Sequence, residues 1–125
     1  RIKVIASGKL VTPPDVAWAL AVGADFINSA RGFMFSLGCI QSLQCNKNSC
    51  PTGIATHKKR LQKGLVPQEK SLRVTHYVTN MQKEVAQIAH ACGVKEPRLL
   101  NRTHCRIVQE NSVSISLDKL YTKDP

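Results

Sequence analysis

Aromatic residues, acidic residues and long apolar runs are all scarce in this chain of 125 residues. Phe, Trp and Tyr make up 5% of it and do not alternate with the basic residues, so no stacking platform for single-stranded nucleic acid is visible. No uninterrupted apolar run approaches the ~20 residues that a membrane-spanning helix needs. The first residues also lack the pattern of a signal peptide. These absences argue against a membrane protein and against a stacking-based nucleic-acid binder.

Acidic residues are outnumbered, with 8 Asp and Glu against 18 Lys and Arg and a formal net charge of +10. Such an excess suits nucleic acid, an acidic partner or an anionic ligand. The basic residues are scattered, however, and the densest group is Lys58, Lys59, Arg60 and Lys63. We interpret this group as a solvated face on an exposed turn of helix within residues 57–66, with a docking patch as the alternative.

The chain has five cysteines, an odd number, and three of them lie in one short stretch. Cys39, Cys45 and Cys50 fall within twelve residues, with five residues between the first pair and four between the second. Glycine, asparagine and proline residues around them bend the backbone and leave amides free to point inward. Three converging thiolates can hold an iron–sulfur cluster, with nearby amides available to its sulfides.

The cysteine spacing alone leaves other sites open. A zinc site would need a fourth ligand such as His57, and a disulfide with one thiol left over or three unrelated buried cysteines also fit the spacing. An odd, clustered set argues for a reducing compartment over a secreted disulfide framework. We therefore expect a cytoplasmic protein.

The first part of the chain predicts a strand, a helix and a second strand. Residues 2–7 and 24–28 are short apolar runs typical of buried strands. Between them, Thr-Pro-Pro-Asp at residues 12–15 marks a helix start, and a glycine follows its apolar stretch as a stop. This order predicts parallel strands joined by a right-handed crossover, followed by a short helix over residues 33–37.

A glycine and a cation follow each predicted strand. The candidate phosphate-binding residues are Ser7, Gly8, Lys9, Ala30, Arg31 and Gly32. In a (β/α)8 barrel, the loops after strands seven and eight form the usual phosphate site. Glycine lets backbone amides approach a phosphate, and Arg31 can bind it through two parallel charge-assisted hydrogen bonds. Both tripeptides are also common in ordinary turns, so the composition alone leaves the assignment open.

Residues 68–91 predict the clearest helix, because apolar residues recur at intervals of three and four. The apolar stripe consists of Val74, Val78, Met81, Val85, Ile88 and Cys92. We interpret Cys92 as a small core residue rather than a ligand. In the tail, residues 98–108 predict a short helix or turn, alternation over residues 113–117 predicts a half-buried strand, and residues 118–125 predict a fraying terminus.

The cysteine stretch resembles the cluster loop of the glutamate synthase family residue by residue. The matching residues are Gly38, Cys39, Cys45, Asn48, Cys50, Pro51, Gly53, Ala55 and Thr56. The preceding segments IASGK, ALAVGAD and ARG look like the last two βα units of the family's FMN-binding barrel. The surroundings of Gln41 and Cys45 are more similar to the stand-alone FMN-binding members than to the large multidomain enzyme. These specific motifs cover residues 2–56, and looser ones continue beyond.

The resemblance implies an α/β fold, the C-terminal portion of a (β/α)8 TIM barrel followed by an iron–sulfur cluster loop, a long helix and an irregular tail. Residues 1–37 would be the last two βα units, residues 38–66 the cluster loop and basic segment, and residues 67–125 a helix and tail that pack on the barrel. A whole barrel takes ~250 residues. We therefore expect a C-terminal part of a longer protein, with the remainder of the barrel as its partner.

The resemblance also implies two cofactors. In the family, the three cysteines hold a 3Fe–4S cluster, and the Ser-Gly and Ala-Arg-Gly segments hold the FMN phosphate. The resemblance therefore assigns Cys39, Cys45 and Cys50 to the cluster, and residues 7–9 and 30–32 to FMN. The implied enzyme is a glutamate synthase-like oxidoreductase in which ferredoxin or an NAD(P)H-dependent flavoprotein subunit reduces FMN through the cluster.

In glutamate synthases the flavin then delivers a hydride to a small-molecule substrate, 2-iminoglutarate, which forms from 2-oxoglutarate and ammonia and yields L-glutamate. No catalytic acid or base can be named in this chain, because the resemblance puts the family's substrate-binding residues before Arg1. We also expect an oligomer and no nucleic-acid partner. The alternatives are a zinc- or cluster-stabilised interaction module without catalytic activity, and a basic nucleic-acid binder.

Overall fold

The structure, a computed structural model, describes residues 2–121 and mixes helices with short strands, as in the expected α/β class. Its strands are β1 (Ile5–Ser7), β2 (Phe26–Asn28), β3 (Arg106–Val108) and β4 (Ser114–Ser116). Its α-helices are α1 (Pro13–Val22), α2 (Ala30–Ser36), α3 (Lys59–Gln62), α4 (Pro67–Ala91) and α5 (Leu117–Leu120). Single 3-10 turns lie at Cys45–Lys47, Pro97–Leu99 and Arg102–His104. Within the described range, no helix has the length and apolar character needed to cross a membrane.

Strands β1 and β2 pair in parallel, and their first aligned residues are Ile5 and Phe26. Helix α1 lies between them in the chain, which confirms the predicted strand–helix–strand order. Both strands are shorter than predicted because the preceding residues take other partners. The backbone amide of Val4, for example, donates to the carboxylate of Asp25 at 3.0 Å. Ile5 is 66% exposed and Phe26 is 48% exposed, so the pair leaves apolar surface uncovered.

Helix α1 begins and ends where the sequence predicts. The Asp15 carboxylate accepts hydrogen bonds from the amide of Thr12 at 3.0 Å and from its hydroxyl at 2.6 Å. The hydroxyl bond has the largest effect, and together the Thr12 bonds lower the pKa of Asp15 below its ordinary value. At the other end, Gly23 has a φ of 127° and its amide donates to the carbonyl of Leu20. Glycine adopts such a φ most readily, and this ends the helix.

Helix α2 begins three residues earlier than predicted, at Ala30 rather than Phe33. The cause is a hydrogen bond from the Phe33 amide to the carbonyl of Ser29 at 3.2 Å, which closes the first helical turn. The Ala-Arg-Gly triplet is therefore the first turn of a helix and not an irregular loop. The expectation of a helix limited to residues 33–37 was wrong at its start.

Helix α4 forms the support on which α1 and α2 pack. It covers the predicted residues 68–91 and begins one residue earlier, at Pro67, a residue well suited to the first helical turn. The core cluster contains Ala17, Ala21, Ala89 and Leu100, with Ile88, Cys92, Val94 and Cys105 packed against it. This packing confirms the interpretation of Cys92 as a core residue.

The tail differs from the prediction in its strand content. Residues 98–108 contain 3-10 turns but end in β3, which pairs antiparallel with β4 and sets Ile107 opposite Ile115. Strand β4 lies within the predicted residues 113–117. The predicted alternation is incomplete, however, because Val113 is 52% exposed. Strands of three residues are too short for alternation to identify them reliably.

The predicted fraying terminus is partly helical. Helix α5 includes residues 118–120 of the predicted terminus. Its first residue, Leu117, is buried, with only 2% of its surface exposed, and this burial anchors the helix. The Leu117 amide donates to the carbonyl of Cys105 at 2.9 Å and ties the tail to the preceding turn. The rest of the predicted terminus, residues 122–125, lies outside the described range.

Candidate functional site

The cysteine loop leaves helix α2 at Gly38 and reaches α3 through an irregular backbone. Three residues other than glycine adopt positive φ there, namely Gln41 at 53°, Leu43 at 54° and Asn48 at 53°. A residue with a Cβ pays ~1–3 kcal/mol for such a conformation and keeps it only where surrounding contacts fix it. Backbone strain of this kind is common at ligand-binding sites. In this loop it falls between the first and the third cysteine.

Asn48 closes the base of the loop. The hydroxyl of Thr56 donates to the Asn48 backbone carbonyl at 2.8 Å, and it lies 3.0 Å from the Asn48 side-chain oxygen. The backbone amide of His57 donates to the same side-chain oxygen. Thr56 is buried, whereas His57 is exposed. These bonds join the middle of the loop to its last residues before α3 and give Asn48 and Thr56 a structural role within the matched motif.

Gly53 lets the loop lie directly against α3. A Cβ at this position would be 2.3 Å from the carbonyl oxygen of Leu61 and 3.1 Å from the Cα of Gln62. Gly53 also has a φ of 80°, which disfavours any residue with a side chain. The glycine is therefore required twice, by the backbone conformation and by the close approach of the helix.

The three predicted cluster cysteines differ in exposure: Cys39 is half-buried, Cys45 is exposed and Cys50 is buried, and all are free thiols. The hydroxyl of Thr52 lies 3.3 Å from the Cys50 sulfur. This hydroxyl, followed by the backbone amide of Ala55, lowers the pKa of Cys50 to about 7. Polar donors thus surround Cys50 although it is buried, and they favour the thiolate that binds metals.

The loop fits an iron–sulfur cluster in the chemistry of its donors. It contains three free thiols, and the backbone amides of Gln41 and Ala55 donate to the sulfurs of Cys39 and Cys50 respectively. Thiolate sulfur is the ligand that such clusters require. A polar cleft of about 610 Å³ lies beside Cys45 and is also lined by Asn46, Asn48 and His57. Within residues 2–121, however, no group of three or more His, Cys, Asp or Glu side chains is gathered closely enough to hold a metal ion. The fit is therefore one of donor type, and the ligand assignment stays a prediction.

The predicted phosphate-binding residues lie at one edge of the β1–β2 pair. Ser7 is opposite Asn28, so the residues that follow each parallel strand emerge at the same end. The hydroxyl of Ser29 donates to the carbonyl of Leu10 and joins the two loops directly. Lys9 and Arg31 are exposed, and neither forms an ion pair with another residue of the described range. Two cations are thus available at this edge, as binding of a phosphate requires.

Gly32 is buried beneath Tyr77 of helix α4. A Cβ at residue 32 would lie 1.8 Å from the Tyr77 hydroxyl oxygen. Gly32 therefore has a role in packing, in addition to its predicted role of letting the backbone approach a phosphate closely. Tyr77 is not among the residues predicted from the sequence, although it lies at helical spacing from Val74 and Met81 on the apolar stripe of α4.

Two cations of α4 lie against the entry of the cysteine loop. A Cβ at residue 38 would be 3.7 Å from the Lys70 ammonium nitrogen and 3.8 Å from a guanidinium nitrogen of Arg73. Glu69 pairs with Lys70 at 3.2 Å and with Arg73 at 3.9 Å. Neither cation is among the residues predicted from the sequence. The basic side chains within residues 58–63 are all exposed, as expected of a solvated face.

A comparison with protein families decides the ancestry of this fold and loop. A family model described as the conserved region in glutamate synthase matches residues 1–95. The chain belongs to the glutamate synthase family. The match includes both candidate phosphate-binding segments, the three-cysteine loop and all of α4, and it confirms the resemblance drawn from the motifs.

Curated relatives carry glutamate synthase names. The chain is 44% identical over 120 residues to the glutamate synthase large subunit-like protein YerD of Bacillus subtilis (strain 168), covering 96% of this chain and 23% of the relative. It is 31% identical to the archaeal glutamate synthase (NADPH) of Methanocaldococcus jannaschii, covering 94% of this chain and 23% of that protein. It is 42% identical over 64 residues to the ferredoxin-dependent glutamate synthase of Cyanidium caldarium, covering 50% of this chain and 4% of that protein. The chain therefore spans less than a quarter of the length of these relatives.

Proposed function

We propose that this chain is the cofactor-holding portion of a glutamate synthase-like oxidoreductase that carries FMN and a 3Fe–4S cluster. The observation that carries the proposal is the arrangement of the family-matched region. Residues 7–9 and 30–32 lie at one edge of a parallel strand pair, and helix α2 leads from that edge directly into the cysteine loop. Two cofactors bound at these places would be separated in the chain by α2, a helix of only seven residues, whose length is about 10 Å at 1.5 Å per residue.

In this proposal, β1 and β2 are the last two strands of a (β/α)8 barrel. Support comes from the sheet, which has only these two strands in the described range, so each strand has one edge without a neighbouring strand. The backbone groups of such an edge are a template for pairing with a further strand. The side chain of Ile5, 66% exposed, also leaves a face of the pair uncovered. The remaining strands of the barrel are the proposed partner. Residues 38–66 then form the cluster segment, and residues 67–125 pack against the barrel.

The proposed cluster ligands are Cys39, Cys45 and Cys50. A bound 3Fe–4S cluster would supply one-electron transfer, and three cysteine ligands agree with that cluster type. The contribution of this chain is to hold the three sulfurs in a loop whose backbone is fixed at Asn48 and Gly53. At Cys50, the hydrogen bonds that lower its pKa also favour the thiolate.

The proposed FMN phosphate site consists of Ser7, Gly8, Lys9, Ala30, Arg31 and Gly32. Bound FMN would supply hydride transfer to 2-iminoglutarate, as the family resemblance implies, with L-glutamate as the product. Two relatives are named for NADPH and for ferredoxin, and either type of electron donor is compatible with the proposal. The five free cysteines support a cytoplasmic location, because disulfides are rare in reducing compartments.

A pair of matched variants tests the cluster assignment. In the complete protein that contains these residues, Cys50→Ser should abolish bound iron and acid-labile sulfide. Cys92→Ser should retain both, because Cys92 packs in the core. Equal iron loss from the two variants, or full iron retention by Cys50→Ser, would contradict the ligand assignment. Bound zinc without iron would favour the interaction-module alternative instead.

A further inference from the structure

We propose that Tyr77 is a positioning residue for the flavin phosphate. In this inference, which rests on the proposed function, Tyr77 sets the distance between the two loops that bind the phosphate. The chain would then owe part of its preference for FMN over riboflavin to a residue that does not touch the flavin.

The hydroxyl of Tyr77 joins both loops. It donates to the backbone carbonyl of Val11 at 3.0 Å, in the loop that follows β1. It also lies 2.9 Å from the hydroxyl of Ser29, the residue directly before α2. Ser29 in turn donates to the carbonyl of Leu10. Each hydroxyl has one proton to donate, so two of these three contacts are hydrogen bonds at a time. Every such pair includes a bond from Ser29 or Tyr77 to a carbonyl of the loop after β1.

The ring of Tyr77 is held in place by α2 itself. It packs edge-on against Phe33, with ring centroids 5.4 Å apart and an interplanar angle of 80°. It also fills the space that a side chain at residue 32 would need. An aromatic ring that is packed between neighbours on both sides has little freedom to change its position. The position of the first turn of α2 is therefore fixed relative to α4.

The contacts of Tyr77 matter because the hydrogen-bonded ladder between β1 and β2 is too short to hold the two loops together by itself. The pairing of β1 with β2 ends at Ser7 and Asn28, before either predicted phosphate-binding segment is complete. In the described range, the hydrogen bonds that join the two loops beyond this point pass through Ser29 and Tyr77. A site that binds one phosphate from two sides tolerates displacements of only ~0.5 Å. Loss of the Tyr77 hydroxyl should therefore weaken phosphate binding without removing any phosphate ligand.

FMN and riboflavin provide the test, because they differ only in the phosphate. The measurement is the dissociation constant of each flavin for the complete protein stripped of flavin, obtained by fluorescence titration. Tyr77→Phe keeps the ring and removes the hydroxyl, and Tyr121→Phe is the matched control because Tyr121 is 59% exposed. We expect Tyr77→Phe to weaken FMN binding about threefold to tenfold, because Tyr77 does not touch the flavin and the free energy of one hydrogen bond is the upper limit of its effect. Riboflavin binding should change less than about twofold, and the control should change neither.

Ser29→Ala removes the other hydroxyl and should give the same selective loss. Equal weakening of both flavins by Tyr77→Phe would show a general structural role and overturn the inference, as would unchanged FMN binding. Failure of the proposed function gives a different result, in which the unmodified protein binds FMN no better than riboflavin, and that result also overturns the inference. Circular dichroism of each variant checks that the fold is retained.

Discussion

Replacing Gly32 with alanine puts a methyl group where the Tyr77 side chain lies. The added Cβ would be 1.8 Å from the Tyr77 hydroxyl oxygen, 2.5 Å from its Cζ and 2.6 Å from the Ser29 hydroxyl oxygen. Tyr77 must therefore move and lose its contacts with Val11 and Phe33. Overpacking costs about 1–3 kcal/mol and each lost hydrogen bond about 1 kcal/mol, whereas alanine gains about 1 kcal/mol in helix propensity. With one hydrogen bond lost, the propensity gain offsets it, and we expect a net loss of about 1–3 kcal/mol in the free energy of unfolding.

Urea denaturation of the complete protein, followed by circular dichroism, measures this loss. A double-mutant cycle with Tyr77→Ala isolates the contact. Once Tyr77 is truncated, Gly32→Ala should be neutral or stabilising, because only the Ser29 hydroxyl remains close and it can rotate away. The reasoning is refuted if Gly32→Ala stabilises the unmodified protein, since helix propensity would then dominate. An equal cost in both backgrounds would also refute it.

Two further predictions concern the loop and the first helix. Gly53→Ala should destabilise the protein by at least about 2 kcal/mol, since overpacking and a positive φ both oppose the new Cβ; faster amide exchange in α3 would show it, and unchanged exchange would contradict it. Asp15→Asn should cost about 0.3–1 kcal/mol at neutral pH, because it removes a negative charge from the first turn of α1, where the helix dipole favours it. The pKa of Asp15 is lowered in the folded state by Thr12, so the stabilisation is present above its ordinary 3.8 and lost as pH falls below the folded pKa. Urea midpoints of the variant and the unmodified protein should therefore converge in acid, and a pH-independent difference would exclude this role.

Local signals were sufficient to predict α1 and α4. The Thr-Pro-Pro-Asp sequence and Gly23 mark the ends of α1 through backbone chemistry that acts within a few residues. The apolar stripe of α4 predicts which of its faces packs, and Val85 and Cys92 lie on that face in the structure. Both signals depend on neighbours along the chain and need no knowledge of the tertiary fold.

The contact between Tyr77 and Gly32 could not be predicted in this way. It depends on how α4 crosses α2, which is set by packing between residues distant in the sequence. The early start of α2 could not be predicted for the same reason. Gly32 has low helix propensity, which argues against a helix at this position, and only the tertiary fold shows that the glycine fits under the ring of Tyr77. The cysteine spacing predicts a shared loop for Cys39 and Cys50. It does not predict how their sulfurs are arranged.

The central claim is that the three-cysteine loop carries a 3Fe–4S cluster beside FMN. The most direct test is the iron, acid-labile sulfide, zinc and flavin content of the complete protein purified without oxygen, together with its electron paramagnetic resonance spectrum. We predict about three irons per chain with a signal in the oxidised state, and bound FMN. One zinc per chain, or no metal at all, would contradict the claim and leave the family relationship as shared ancestry without the shared cofactors.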